Sequence, residues 1–389
     1  MSPSMPYDAL IVGGGPGGLY TAWRLAHDGF SVIVCEEHDA VGVPVHCTGV
    51  LGADSFDEFD LPRETVLNPL PTIRFVSPAG LELRYTPPAV QAVVIDRGRF
   101  DRTLAERARA AGAELRVHAR VTSLDRCDAG VHAVAGNAIV SARVAILACG
   151  AAYALQRRFG LGLPRRYLHT AQRELPVRTL GDVEVHFGTA VAPGGFAWAV
   201  PVERSDGPHV RIGAMSTRAA DRCYARMHER IAASWGAADD RERPRLKILP
   251  LGPIDRTYAD RLLVIGDAAG LVKPTTGGGI YYSIVSGSLA ADVAGHALAC
   301  NRLDAASLAS YEKRWRGHLE SELSAQVALR QAAESMTDRD IDTLFDLAKT
   351  DGIMPIVRKT ARFNQHRHLI RALFNHPPAR KVLLRAFAG

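Results

Sequence analysis

Apolar residues open the chain as a short unbroken run, Ala9-Leu10-Ile11-Val12, followed by glycines and a stretch with helical spacing from about Gly17 to His27. Gly29 suits the left-handed position that stops such a helix, and Ser31–Cys35 is again strand-like. An Ala/Arg/Leu helix is predicted from Arg99 to Ala111, ended by Gly112. Two alternating runs follow, Glu114–Val121 and Val131–Val140, and then an apolar strand, Val144–Ala148. From about Leu155 to Leu251 apolar and polar residues alternate among Pro and Gly, which predicts an antiparallel sheet. A second buried strand, Leu262–Ile265, leads through glycines into a small-residue helix at about Gly279–Ala299, and everything after Asp304 reads as helix. No internal repeat is present. The pattern predicts an α/β chain: a discontinuous Rossmann-like domain from about residues 1–68, 96–156 and 255–304, a β-rich substrate domain from 69–95 and 157–254, and a helical region over 305–389.

Composition narrows this little. With 389 residues, 47% hydrophobic and 23% charged, the chain has the balance of a soluble protein with a full core. No uninterrupted apolar run reaches the roughly 18 residues of a spanning helix. Seven residues precede the strand-like stretch Asp8–Val12, too few for a signal peptide, so the expected location is the cytoplasm. The net charge of +6 is uneven, because Ile353–Gly389 holds eight Lys or Arg and no Asp or Glu. The six cysteines form no C-x-x-C pair, which predicts reduced thiols and no metal site.

Chemistry enters with Gly13-Gly14-Gly15-Pro16-Gly17-Gly18, a G-x-G-x-x-G turn between a strand and a helix. Glycines let the backbone approach a pyrophosphate, whose charge the helix N-terminus favours. Glu36, 23 residues after Gly13, stands near the spacing of an acid that binds ribose hydroxyls. A second signature selects a flavin. Gly266-Asp267 follows a buried strand, where a carboxylate can accept from ribityl hydroxyls, and Pro274-Thr275-Thr276-Gly277-Gly278-Gly279 opens the next helix toward the flavin pyrimidine.

The Gly13–Gly18 turn, Arg97 with Phe100-Asp101, and the Gly266-Asp267 strand resemble the FAD domain of the para-hydroxybenzoate hydroxylase superfamily, a Rossmann-like domain of glutathione-reductase type. Within that superfamily, Pro193-Gly194-Gly195-Phe196-Ala197-Trp198-Ala199-Val200-Pro201 resembles the P-x-x-Y-x-W-x-F-P motif of geranylgeranyl reductases, with Phe196 in place of Tyr and Val200 in place of Phe. Pro44-Val45-His46-Cys47-Thr48-Gly49 is similar to that family's cysteine loop facing the flavin. Where the hydroxylases carry Asp-Gly, this chain reads Cys149-Gly150.

The resemblance implies an FAD-dependent reductase of carbon–carbon double bonds in isoprenoid lipids. The FAD set it implies is Gly13, Gly15, Pro16, Gly17, Gly18, Glu36, Glu37, Cys47, Arg97, Gly266, Asp267, Pro274, Gly277, Gly278, Gly279 and Ile280. NADPH or a reduced ferredoxin-like protein would supply electrons. An isolated alkene has no carbonyl to absorb charge, so hydride addition must be matched by protonation of the neighbouring carbon in a dry site. Cys47 and Tyr281 are the candidate catalytic residues; Phe196, Trp198 and Pro201 are read as one apolar wall for the substrate. A buried thiol at Cys47 would stay protonated, as an acid requires. The rival reading is a flavin monooxygenase or halogenase, although halogenases of this fold show W-x-W-x-I-P where Phe196–Pro201 stands.

In the tail, Ile353, Ile356, Val357, Thr360 and then Leu369, Ile370, Leu373, Phe374 recur at helical spacing among basic residues. A basic amphipathic helix suits transient contact with the inner face of a membrane; a helical lid with a solvated basic face is the alternative. Nothing resembling a base-reading module accompanies the charge, so no nucleic-acid partner is expected.

Overall fold

The computed structural model describes residues 7–239, 242–350 and 352–388. The chain divides into two compact units, Met1–Val45 with Asp96–Arg166 and Pro250–Ser321, and His46–Ile95 with Tyr167–Leu249 and Glu322–Gly389. Residues 46–68 thus fall with the β-rich part, and 305–321 with the nucleotide-binding part.

The first unit is built on an eight-stranded sheet whose central order is Leu262–Val264, Ala138–Leu147, Tyr7–Val12, Val32–Cys35 and Glu114–Arg116, all parallel. Leu10, Ile11, Ile33, Val34, Ile146 and Leu147 are fully buried, as expected of parallel strands covered on both faces. Helix Pro16–His27 packs on helix Ile280–Ala299 through small residues. A Cβ on Gly287 would lie 2.6 Å from Thr21 Oγ1 and 2.8 Å from the Gly17 carbonyl, so the small-residue sequence is what lets the two backbones approach. Helix Arg97–Ala110 starts two residues before the sequence reading because Asp96 caps it, accepting from the Arg99 amide at 2.9 Å. The expected run Val131–Val140 is a hairpin, Val131–Ala135 and Ala138–Leu147, turned at Gly136 with φ +60°.

The second unit carries a seven-stranded sheet in the order Arg245–Pro250, Tyr167–Pro176, Gly207–Ser216, Phe196–Arg204, Val183–His186, Ile73–Val76, Glu82–Tyr85. The predicted antiparallel pairing holds through its middle, but Val183–His186 pairs in parallel with Ile73–Val76. A helix the sequence reading did not contain, Ala220–Trp235, covers one face. Cys223, Met227, Ile231 and Trp235 pack there against Ala197, Ala199, Ile212 and Ala214. Beside it, buried Glu184 is held by Arg74, by His186 Nε2 at 2.7 Å and by Trp235 Nε1 at 3.0 Å. Burial pushes its carboxyl up, but hydrogen bonds and charge from His186 and Arg74 outweigh burial and hold it below the usual range.

The tail forms helices Asp338–Thr350, Ile353–Thr360, Arg367–Asn375 and Pro377–Ala388. The expected single basic helix is interrupted at 361–366, where buried Asn364 donates to Asp54 Oδ1 at 2.6 Å and Ser55 Oγ at 2.9 Å. Its apolar residues face inward. Ile353 is buried with Ala348 and Ala379, and Val357 and Leu373 pack on that cluster with Leu83 of the sheet. The apolar stripe therefore serves packing within the unit, while Arg358, Lys359, Arg362 and Arg371 are exposed.

Candidate functional site

The glycine turn owes its shape to close approaches that only glycine allows. A Cβ on Gly13, where φ is +111°, would lie 2.5 Å from the Ala148 carbonyl; on Gly17 it would lie 2.7 Å from the Ser283 carbonyl, and on Gly18 2.2 Å from that of Gly13. Gly15 is different: a Cβ there would meet no protein atom within 4 Å. Its glycine leaves room for something outside the chain. Pro16 is the first residue of the helix that follows, and no side chain caps that helix, so its first amides remain available to an anion.

Glu36 ends the strand Val32–Cys35 in a buried position and accepts from the Gly14 amide at 2.6 Å and the His38 amide at 3.0 Å. His38 Nδ1 also lies 2.5 Å from Oε1, so the lone pair left on Oε2, the oxygen aimed at the turn, is the one open to a ribose hydroxyl. Its neighbour Glu37 is exposed and pairs with Arg120 at 3.2 Å. Arg97, expected at a phosphate, forks onto Asp101 one turn along its own helix, Nε to Oδ1 at 3.1 Å and Nη2 to Oδ2 at 2.8 Å.

The second signature forms a matching edge in the same unit. Gly266, at φ +57°, donates its amide to Ser286 Oγ at 3.1 Å, and Asp267 begins the turn beyond it. A Cβ on Gly279 would lie 2.7 Å from Asp267 Oδ1. The loop after Pro274 is closed by the Gly277 amide on the Lys273 carbonyl at 2.8 Å and the Lys273 amide on the Gly278 carbonyl at 3.1 Å. Gly278 and Gly279 then lead into helix Ile280–Ala299, again without a side-chain cap. Tyr281 lies in its first turn, with Lys273 Nζ 5.7 Å from its ring centre. Lys273 is buried beneath this loop, with its Nζ also 5.9 Å from the Tyr282 ring centre, and sequence reasoning passed over it because no motif marks it. Cys149 donates to the Ala152 carbonyl at 3.2 Å, and burial pushes its thiol up to about 12, so no charge replaces the missing Asp. Two uncapped helix starts, an open Gly15 and two carboxylates fit a dinucleotide flavin.

Cys47, Phe196, Trp198 and Pro201 belong to the second unit. Cys47 is half-buried, not buried as expected, and its sulfur accepts from the Gly49 amide at 3.3 Å. The loop is pinned from below. Arg211, with 2% exposure, donates from Nη1 to the carbonyls of Thr48 at 2.6 Å and Ile95 at 3.0 Å, and from Nε to Glu174 at 2.6 Å. Thr48 Oγ1 donates to Gln172 at 2.8 Å. A Cβ on Gly49 would lie 2.4 Å from Arg211 Nη1, so the loop needs glycine there.

Trp198 faces Gly213 across the strands, where a Cβ would come within 2.2 Å of the indole, and Val185 on its other side, which in turn faces Phe75. Cross-strand partners share a face, and Phe75, Phe187, Phe196 and Trp198 form a row with successive ring centres 5.8–6.3 Å apart, joined by Phe345 from helix Asp338–Thr350. Trp198 Nε1 is buried on this face without a hydrogen-bond partner among the described residues. Pro201 does not share the wall. It is an odd number of positions from Phe196 and Trp198 and pairs with Val210, which faces helix Ala220–Trp235, so strand alternation puts it on the opposite face.

The fold has counterparts among known proteins. A family described as "NAD(P)-binding Rossmann-like domain" matches residues 11–61. The digeranylgeranylglycerophospholipid reductase of Methanocaldococcus jannaschii is 31% identical over 357 residues, covering 87% of this chain and 89% of that protein. Among solved structures, a geranylgeranyl bacteriochlorophyll reductase-like protein of Thermoplasma acidophilum superposes with a TM-score of 0.85 at 24% identity, covering 98% of this chain and 99% of that one. A halogenase in complex with FAD gives a TM-score of 0.70 at 16% identity, over 98% of this chain and 86% of the halogenase, which is a likeness of fold. Given that identity over nearly the full length of both proteins, the chain belongs to the geranylgeranyl reductase family.

Proposed function

We propose that the protein is an FAD-dependent reductase that saturates carbon–carbon double bonds in the isoprenoid chains of a digeranylgeranylglycerophospholipid-type lipid. The observation that carries this is the 31% identity to the Methanocaldococcus jannaschii reductase over 87% of the chain. The Gly13–Gly18 turn, Glu36, Asp267 and the uncapped start of helix Ile280–Ala299 are the residues that hold FAD, and Glu37 and Arg97, committed to Arg120 and Asp101, take a lesser part. Bound and reduced, FAD supplies a hydride.

The chain's own residues do the rest. Phe75, Phe187, Phe196 and Trp198 offer a row of aromatic rings on which a polyprenyl chain loses water without needing polar partners. Addition of hydride to an isolated alkene needs a proton on the adjacent carbon, and Cys47 is the proposed donor, with Tyr281 as the second candidate. Cys47→Ala is expected to lower kcat by about a hundredfold, the usual scale of a lost general acid, while flavin content stays unchanged. An unchanged kcat removes Cys47 from the chemistry and turns attention to Tyr281→Phe.

The deciding experiment uses enzyme reduced chemically without oxygen and then given digeranylgeranylglycerol phosphate. Return of the oxidised flavin spectrum with saturation of the lipid is expected. No reoxidation without oxygen would overturn the reductase reading in favour of the monooxygenase class. Among the described residues no helix is long and apolar enough to cross a membrane. Contact with a membrane surface is proposed through the exposed basic residues of the tail, Arg358, Lys359, Arg362 and Arg371, and not through its apolar stripe, which is packed inward.

A further inference from the structure

A cavity of about 880 Å³ in the second unit is lined by Pro193, Arg218, Arg222, Arg226, Glu229 and Arg230, among others. Arg222, Arg226 and Arg230 recur every fourth residue along helix Ala220–Trp235, and Arg218 precedes it by one turn, so four guanidiniums border one hollow with a single carboxylate among them. All four arginines are exposed, and none forms an ion pair with a described carboxylate. Arg226 is tied to the Ala190 carbonyl, whereas Arg218, Arg222 and Arg230 have no side-chain partner among the described residues. Like charges at this spacing destabilise a helix, and a cation in the first turn, as at Arg222, opposes the helix dipole. The arrangement works against the helix and in favour of an anion.

The hollow is also placed where a lipid could use it. Pro193 is fixed by three donors to its carbonyl, Ser216 Oγ and the Thr217 amide at 3.0 Å each and Thr217 Oγ1 at 3.2 Å. Three residues after Pro193, Phe196 begins the strand that carries the aromatic face. Phe196 pairs with Met215, so Pro193 and Arg218 lie just beyond the same end of that strand pair. A group held at the arginines therefore sits beyond the end of the strand that carries Phe196 and Trp198, while helix Ala220–Trp235 itself covers the opposite face of the sheet.

Resting on the reductase reading above, we infer that this arginine-lined hollow binds the phosphate of the lipid headgroup, leaving the isoprenoid chains free to lie on the aromatic face. Guanidiniums suit the task because each can take two phosphate oxygens in a fork. The phosphate is held and not transferred, so no bond changes.

The test uses full-length enzyme and the double variant Arg222→Gln/Arg230→Gln, which leaves the Arg226 contact in place. Binding of digeranylgeranylglycerol phosphate and of its dephosphorylated alcohol is measured at equilibrium in neutral detergent, with inorganic phosphate as competitor. The expected result is a tenfold or greater rise in Kd for the phosphate lipid, an unchanged Kd for the alcohol, and competition by inorganic phosphate only at far higher concentration. Equal Kd values for wild type and variant overturn the inference, as does an equal weakening of both lipids or a hollow that holds inorganic phosphate as tightly as the lipid. Because binding is read without turnover, a wild type that binds the phosphate lipid through these arginines but never reduces it would sink the reductase reading alone. In turnover, KM for the phosphate lipid should rise while kcat holds. An unchanged melting temperature excludes misfolding.

Discussion

Gly15→Asp is expected to give folded protein that does not retain flavin. The neighbouring glycines cannot report on the cofactor cleanly, because a side chain at Gly13, Gly17 or Gly18 would strike the backbone at 2.5, 2.7 or 2.2 Å and disturb the fold itself. Gly15 has ordinary backbone angles, φ −83° and ψ 178°, and open space where its Cβ would go. The fold therefore tolerates a side chain at that position. A dinucleotide does not, since its pyrophosphate must approach this backbone and would meet both the added atoms and a like charge. At least about a hundredfold loss of FAD affinity is expected, or about 2.8 kcal/mol. Flavin absorbance of the purified protein and its melting curve together decide the matter. Full yellow colour would contradict the cradle. Loss of colour together with loss of the melting transition would show that Gly15 serves the turn and not the ligand. Gly18→Ala is the useful contrast, because it should lower the melting temperature first and flavin content only as a consequence.

The contrast between these glycines explains what could be read from sequence. A turn that needs glycine for steric reasons writes that need into consecutive residues, and Gly13–Gly18, Gly266 and Gly277–Gly279 were therefore visible. The flavin fold followed from them. Helix Ala220–Trp235 did carry its own signal, Cys223, Met227, Ile231 and Trp235 at intervals of four, but it lay inside a long stretch read as sheet. Pro201 was placed on the wrong face although counting in twos along the strand is enough to exclude it. The apolar period of the tail was legible, whereas the direction it faces was set by contacts such as Leu83, far away in sequence. Arg97 illustrates the same limit: Asp101 competes for it one helical turn away, and only coordinates show which partner it has. Least legible of all were the arginines. Arg211 looks like one polar residue in an alternating strand, and its meaning depends on Thr48 and Ile95, more than a hundred positions distant.

That long-range role makes Arg211→Met the second variant with a large expected effect. The guanidinium is 2% exposed and joins three elements through Glu174, Thr48 and Ile95. Removing it strands the buried Ile95 carbonyl and the half-buried Thr48 carbonyl and half-strips a carboxylate, although Glu174 keeps Arg204, which holds Oε1 through Nε at 2.5 Å and shares Oε2 through Nη2 at 2.9 Å. Breaking a buried ion pair from one side costs about 3–5 kcal/mol, and the remaining Arg204 puts this case near the lower end, about 3 kcal/mol. For a body of about 150–250 residues that corresponds to a fall of about 6–12 °C in Tm. The pH dependence gives an independent check. Burial raises the Glu174 carboxyl, but hydrogen bonds and charge from Arg204 and Arg211 outweigh it and hold it below its ordinary value. A depressed folded pKa contributes stability above the ordinary carboxylate range and loses it as pH falls through the folded value. Wild type should therefore lose more stability on acidification than Arg211→Met, and the two Tm curves should converge at low pH. Release of the Thr48 carbonyl should also loosen the loop that holds the Cys47 sulfur against the Gly49 amide, so a thiol reagent should modify Cys47 several-fold faster than in wild type. Arg211→Lys should recover little, because one ammonium cannot span Glu174, Thr48 and Ile95 in the fixed fork of a guanidinium. A variant that melts like wild type at every pH and shows unchanged Cys47 reactivity would mean that the cysteine loop is held by Gln172 and the Gly49 turn alone.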